Sequence, residues 1–266
     1  MPLCYIIVSG SGSAWIMDKD TNTVFTAKKP RLSCNVLKLI ACIFMFTDHF
    51  GYGVLHNYML THGMDLMPEE YKLLNTVYEV CHGIGRLAFP IFCFFIVEGF
   101  LRTRSILKYM ARMAVFAVIS EIPFDLGLYG VPFRWEHQNI MVTFLIALIM
   151  LSVIRYIGNI RGLSNFMICF TSICAVIAFS DIAVMLNADY SWKCMLLTAV
   201  LYFTRNTGTF RLLAGAAATS WEKYAPLSFL LLYFYDPQTR PVHKYAFYLF
   251  YPLHLLVIYM IAWLLI

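Results

Sequence analysis

Two adjacent residues, Asp48 and His49, stand inside the apolar run "LKLIACIFMFTDHFGYG" and are the sharpest candidates for chemistry in the chain. An ionisable group at the centre of a membrane-spanning helix costs about 2.5 kcal/mol or more, which makes it a functional candidate by default. A histidine takes or gives a proton near neutral pH, because its ordinary pKa is about 6.5. Neighbouring residues on a helix project about 100° apart. Asp48 and His49 are therefore expected not to bond each other. Each needs a partner on another helix, in an interior or a cavity. A second reading is open at this point: the pair sits solvated at the outer interface, since acidic residues follow soon after it.

Further polar residues interrupt later apolar runs. In "GIGRLAFPIFCFFIVEGF", Arg86 lies near one end and Glu98 near the other. An Asp48–Arg86 pair would neutralise both charges if the two helices are antiparallel neighbours. Glu98 either contacts substrate or pairs with Arg102 one turn on, a surface ion pair of small worth. Pro90 is expected to break its helix unless the freed backbone groups find other partners. In "ISEIPFDLG", Glu121 and Asp125 are four apart and share a helix face, where they repel unless paired or protonated. Pro123 is expected to end or kink that helix. Gln138 and Asn139 open the next run, as caps or as groups reaching into a cavity. His254 lies within the final run as a packing residue or a second ligand contact. Asp48, His49, Arg86, Glu121, Asp125, Gln138 and Asn139 are expected at one level, in the outer half of the membrane. The eight Cys form no CxxC or other metal-ligand spacing, and no metal site is expected. Neither a serine nucleophile motif nor a Gly-rich phosphate loop is visible.

The elements that must position these groups follow from composition. The chain has 266 residues, 61% hydrophobic and 13% charged, against about 45–50% and about 25% in soluble domains. Its mean hydropathy is +0.70. The fold class expected is all-α: a polytopic transmembrane helix bundle of about nine spans, within a range of about eight to ten, each needing roughly 20 apolar residues. The spans are placed at 35–55, 81–101, 107–126, 139–156, 164–182, 191–204, 209–220, 225–236 and 244–266. Three of them (191–204, 209–220 and 225–236) are short enough that one or two could be re-entrant. Basic junctions (Lys28, Lys29, Arg31 and Lys38; Arg102, Arg104, Lys108 and Arg112; Arg155 and Arg161; Arg205 and Arg211; Arg240, His243 and Lys244) alternate with acidic or neutral ones. That places the N-terminus in the cytoplasm and the protein in the plasma or inner membrane, with lipid as its main neighbour. The net charge of +5 is spread over short loops with no interleaved aromatic stripe, so no nucleic-acid partner is expected. Residues 1–30 read as a flexible tail or an over-long gene start, and 31–266 as one membrane domain.

The runs "LKLIACIFMFTDHFGYG", "IGRLAFPIFCFFIVEGFLRTR", "ISEIPFDL", "QNIMVTF" and "FYLFYPLHLL" resemble the TraX family. Its founding member acetylates the N-terminus of conjugative pilin. TraX-like proteins are similar in turn to transmembrane acyltransferases, which use cytoplasmic acyl-CoA and carry an intramembrane His in the first span, preceded by a basic residue. His49 and Lys38 match that arrangement. They are eleven positions apart, about three helical turns, and so fall on nearly one face. The class often has Arg where this chain has Lys38, which offers a point charge and not a bidentate clamp.

The resemblance implies acyl transfer from acetyl-CoA to a pilin-like peptide amine or to a glycan hydroxyl, with no metal. His49 is then the general base, with Asp48 and Arg86 beside it, Arg86 stabilising developing negative charge. Glu121, Asp125, Gln138, Asn139, Glu98 and His254 are candidate acceptor-binding residues. Lys38, Arg102 and Arg104 would meet the CoA phosphates, although the positive-inside signal accounts equally for the two arginines. Direct transfer is preferred, and an acyl-His intermediate stays open. Two alternatives stand beside the enzyme: a proton-coupled carrier using Asp48, Glu98 and Glu121, against which the missing internal repeat counts, and a non-catalytic assembly factor.

Overall fold

A computed structural model describes residues 5–8, 14–17, 24–27, 31–239 and 244–265. Lys28, Lys29, Arg240 and His243 lie outside the described residues. In the N-terminal stretch, β1 (Tyr5–Val8), β2 (Ala14–Met17) and β3 (Val24–Ala27) pair antiparallel in that order. From Cys34 onward the described elements are helices.

Helix α1 (Cys34–Phe50) starts where the Ser33 side chain accepts from the Val36 N–H at 3.2 Å, a side-chain cap that satisfies one orphan donor. It passes through a π-helical stretch, Gly51–His56, into α2 (Asn57–His62). The first apolar segment is thus 29 residues long, longer than the span expected at 35–55. The π turn begins two residues after His49, and such turns often sit at functional sites. It lets the backbone approach a neighbour: a Cβ on Gly53 would collide with the Gly127 carbonyl oxygen and stand 2.7 Å from Ile258. Only glycine fits there.

Helix α3 (Pro68–Gly85) corrects the acidic loop expected after the first span. Pro68 fills the first position and Glu69 and Glu70 the first turn, the signature of a helix start. A short break at Arg86 and Leu87 leads into α4 (Ala88–Arg102). Pro90 falls in the first turn of α4, where its missing N–H costs nothing, so the break lies ahead of the proline and not at it.

Helix α5 (Ile106–Tyr129) continues through Pro123 and ends on Gly130 at φ 71°, beyond the expected end at 126. Then follow α6 (Ile140–Gly158), capped by Asn139, α7 (Asn165–Met185), capped by Ser164, α8 (Ser191–Phe203), α9 (Thr209–Ala218), α10 (Ser228–Leu232) and α11 (Lys244–Leu265).

Five helical segments among the described residues are long and apolar enough to cross a bilayer: 34–62, 68–102, 140–158, 165–185 and 245–265. α8 and α9 are shorter apolar helices. α4, α6 and α8 supply much of the core, with Ile91, Val97, Leu148, Met150, Leu197 and Leu201 wholly buried. α7 presents Phe166, Phe170, Ile173 and Ile177 outward, an apolar exterior suited to lipid as solvent. α11 packs along α5 and also against α1, and α1 packs on α3 and α4. That ring of contacts encloses the site.

Candidate functional site

A cavity of about 430 Å³ lies between α1, α3, α4, α5 and α11, and Asp48, His49, His82, Arg86, Asp189 and Tyr251 are in its wall. His49 and Asp48 both face the interior, each with a partner from a different helix. The His49 ring stands nearly parallel to that of His254 on α11, and His49 Nδ1 lies 2.7 Å from His254 Nε2. His254 Nδ1 lies 2.9 Å from the carbonyl oxygen of Phe250, which can only accept. His254 therefore donates from Nδ1 and, as a neutral ring, accepts at Nε2. His49 must donate from Nδ1, and its Nε2 keeps a free lone pair. This chain fixes one tautomer of His49 by hydrogen bonding alone.

Asp48 does not meet Arg86 directly, which corrects the pair expected from the sequence. His82 of α3 stands between them. Its Nδ1 donates to Asp48 Oδ1 at 2.9 Å, and its Nε2 accepts from Arg86 Nε at 3.2 Å. Arg86 Nη2 also closes on His82 Nε2. An arginine only donates, so His82 is neutral with its proton on Nδ1, and Asp48 remains the acceptor. Arg86 Nη1 donates to the Tyr190 hydroxyl at 2.9 Å, and Glu222 lies 3.9 Å from Nε.

The Asp48 side chain lies flat against α3 because Gly85 has no Cβ. A methyl there would overlap Asp48 Cβ and Cγ and stand 2.9 Å from Oδ1. Gly85→Ala is expected to push Asp48 off His82 and to cost about 1–3 kcal/mol by overpacking. Thermal melts in detergent read this; an unchanged midpoint would show that the helices separate freely.

The loop between α7 and α8 closes one side. Tyr190 holds a left-handed backbone, φ 56°, rare for a bulky residue. Its ring stacks on Phe89 at 3.8 Å and 4°. Thr143 donates to the Asp189 carbonyl at 2.7 Å. Burial pushes the Asp189 carboxyl up to about 6; Arg86 works against the rise and Asp48 with it. The Tyr251 side chain is 1% exposed, edge-on to His49 at 6.2 Å, and its hydroxyl has no hydrogen-bond acceptor among the described residues.

Two further cavities lie in series beyond this chamber, each sharing wall residues with the one before. The second, about 190 Å³, shares Phe92, Met141, Phe144 and Phe247 with the first. The third, about 790 Å³, shares Lys38, Phe95, Gly99 and Thr103 with the second and reaches Arg102 and Arg104. Lys38 and His49 thus stand in the walls of neighbouring cavities, about 16 Å apart along α1.

Other sequence candidates lie elsewhere. Asn139 donates to the Ala117 carbonyl at 2.9 Å and to Glu121, while its oxygen caps α6 at Met141 N, 3.0 Å. Asp125 accepts from Arg134 N at 2.6 Å, and the Gln138 backbone pairs with Asn187 and Asp189. These four residues brace the α5–α6 junction and the α7–α8 loop, outside the linings described above. Glu98 is held by Arg102 at 2.6 Å and Arg211 at 2.7 Å, beside the third cavity. His82, Asp189, Tyr190 and Tyr251 were not singled out from the sequence. His82 lies inside the second expected span, 81–101, but only the fold sets it between Asp48 and Arg86.

A family model described as "TraX: TraX protein" matches residues 33–262. The chain is 35% identical over 83 residues to the "Probable fimbrial assembly protein FimC, serogroup H1" of Dichelobacter nodosus, a stretch covering 29% of this chain. The matched part spans about a third, 34%, of that relative's length. No solved structure matches the chain.

Proposed function

The chain belongs to the TraX family, and from that membership and the His254–His49 hydrogen-bond chain we propose that it is a membrane acyltransferase. In this reading it takes an acyl group, acetyl in the first instance, from acyl-CoA. The observation that carries it is His49 Nε2, left as a free acceptor in a chamber that adjoins a cavity lined by Lys38 and Arg112.

The steps are those of direct transfer. The acceptor N–H or O–H gives its proton to His49 Nε2 as its nitrogen or oxygen attacks the thioester carbonyl. Nδ1–H of the resulting imidazolium stays bonded to His254, and the Asp48 carboxylate opposes its positive charge. The tetrahedral oxyanion needs a donor in a water-poor site. The Tyr251 hydroxyl has an unassigned proton and supplies it, while Arg86, engaged by His82 and Tyr190, contributes charge from behind. The carbon–sulfur bond then breaks, and the CoA thiolate takes the proton back from His49. No covalent enzyme intermediate is required.

In this reading the third cavity faces the cytoplasm, the side that the positive-inside rule gives to its basic junction, and the acceptor arrives from the opposite side of the plasma or inner membrane. The relative's printed name, a probable fimbrial assembly protein, favours a pilin-like peptide amine over a glycan hydroxyl. The test is to incubate the purified protein in lipid nanodiscs with labelled acetyl-CoA and three acceptors: a pilin-like peptide, the same peptide with a blocked N-terminus, and a glycan. Label on the free peptide alone supports the amine. No acceptor-dependent CoA release with any of them, and solute flux into liposomes instead, would favour a carrier.

His254 acts through His49 and is a positioning residue. His254→Phe removes the acceptor of His49 Nδ1–H, a loss of about 1–3 kcal/mol for an unmade buried bond. The expected result is a kcat lower by about 10–100-fold, with CoA affinity unchanged. A wild-type kcat would show that the tautomer is set some other way.

A further inference from the structure

We propose that Arg112 and Lys38 form the diphosphate site for the acyl-CoA donor, at the narrow second cavity between the basic face and the His49 chamber. The proposal rests on the acyl-CoA reading above and deepens it. Both cations line this cavity, one from α5 and one from α1. No Asp or Glu lines it, and neither cation forms an ion pair among the described residues.

Arg112 carries the second observation. Its Nε is buried with no hydrogen-bond partner among the described residues. The guanidinium stands 5.8 Å from the centre of the Tyr109 ring, and the Tyr248 hydroxyl bonds both Arg112 and Tyr109. The fork is therefore held in place with donor capacity unspent. The Lys38 ammonium lies over Phe95 at 5.1 Å and Phe247 at 5.5 Å. Two positive charges in the wall of one cavity that no carboxylate lines favour an anionic ligand there. A dianionic diphosphate satisfies both: Arg offers a planar pair of N–H donors, and Lys a movable point charge.

The position fits the rest of the donor. Beyond the neck, the collar of Phe92, Met141, Phe144 and Phe247 leads to His49 and admits a slender arm ending in the thioester. On the other side, the third cavity has room for the nucleoside, with Arg104 exposed at its edge for the 3′-phosphate. Arg102 is already engaged by Glu98 and the Pro237 carbonyl, so the diphosphate falls to Arg112 and Lys38.

The test measures binding of CoA, dephospho-CoA and pantetheine to the full chain in nanodiscs of zwitterionic lipid, so that anionic headgroups do not compete. Wild type is expected to bind CoA and dephospho-CoA at least about tenfold tighter than pantetheine. Arg112→Gln is expected to weaken the first two about tenfold and leave pantetheine unchanged, and Arg112→Lys to recover part of the loss. Lys38→Gln, on a separate helix, carries the same comparison if Arg112→Gln does not fold. CoA affinity unchanged in both variants overturns the diphosphate site and leaves the acyl-CoA reading standing. Binding of none of the three by wild type overturns that reading, and this site with it.

Discussion

His49→Ala is expected to lower acyl transfer by about 10²–10⁴-fold, the usual contribution of a positioned general base, while CoA binding stays within twofold or so of wild type. The separation follows from geometry. His49 lines the chamber, and the cations proposed to hold the donor line the other two cavities. Removing the imidazole takes away the only group whose lone pair the His254–Phe250 chain presents to the chamber. It also leaves His254 Nε2 without its donor, and a small loss of thermal stability is expected alongside. Equal transfer by the variant would remove His49 from the mechanism. Transfer and CoA affinity falling together would assign His49 to binding.

Glu98→Ala is expected to destabilise the fold by about 3–5 kcal/mol, the range for breaking a buried ion pair from one side. Glu98 and Arg211 have side chains only 10% and 9% exposed, and their contact at 2.7 Å joins α4 to α9. Arg211 Nε also donates to the Leu201 carbonyl at 3.0 Å, and the guanidinium lies over Phe94 at 4.5 Å. With Glu98 gone, the arginine is left charged and buried, with Nη2 already lacking a partner among the described residues. Arg102, whose side chain is 42% exposed, loses little on its side of the pair. The double variant Glu98→Met with Arg211→Met should recover most of the loss, because it replaces the pair with apolar groups of similar size. Thermal or denaturant unfolding in detergent reads both variants. Wild-type stability for Glu98→Ala with weakened CoA binding would return Glu98 to the ligand-binding role considered from the sequence.

The sequence made the first half of the site legible and hid the second. Asp48 and His49 stood out because two adjacent polar residues in an apolar helix need partners on other elements. The partners are distant in the chain: His82 is 34 residues from Asp48, and His254 is 205 from His49. Nothing in local spacing links them. Asp48 and Arg86 were expected to neutralise each other, and the neutral imidazole of His82 inserts between them. The outer-half residues were expected at one level. Asp48, His49 and Arg86 line the chamber, while Glu121, Asp125, Gln138 and Asn139 lie outside its wall and bond at the α5–α6 junction, with Asp125 Oδ1 buried and without a partner among the described residues.

The helical bundle was legible from hydropathy, and α6 and α7 fall close to their expected limits. α3 was not, because Glu69, Glu70 and Glu79 lowered its hydropathy to that of a loop. Pro123 does not end α5; it is carried inside a continuous helix packed along α11. Proline position was informative at α3, where Pro68 marks a start. Arg112 reads in the sequence as one more positive residue at a junction. Only the fold brings it beside Lys38 in the wall of a cavity.

Alkylation by bromoacetyl-CoA, followed by peptide mass spectrometry, measures whether a donor reaches the free nitrogen of His49. The reagent carries the CoA portion intact and places an electrophilic carbon beside the thioester carbonyl, where Nε2 would displace bromide and keep the new bond. The predicted result is an adduct on His49 that excess CoA blocks and Arg112→Gln slows, while exposed thiols such as Cys169 and Cys174 react whether or not CoA is present. A CoA-protected adduct on any other residue, with His49 unmodified, would contradict the assignment of His49 as the reacting base.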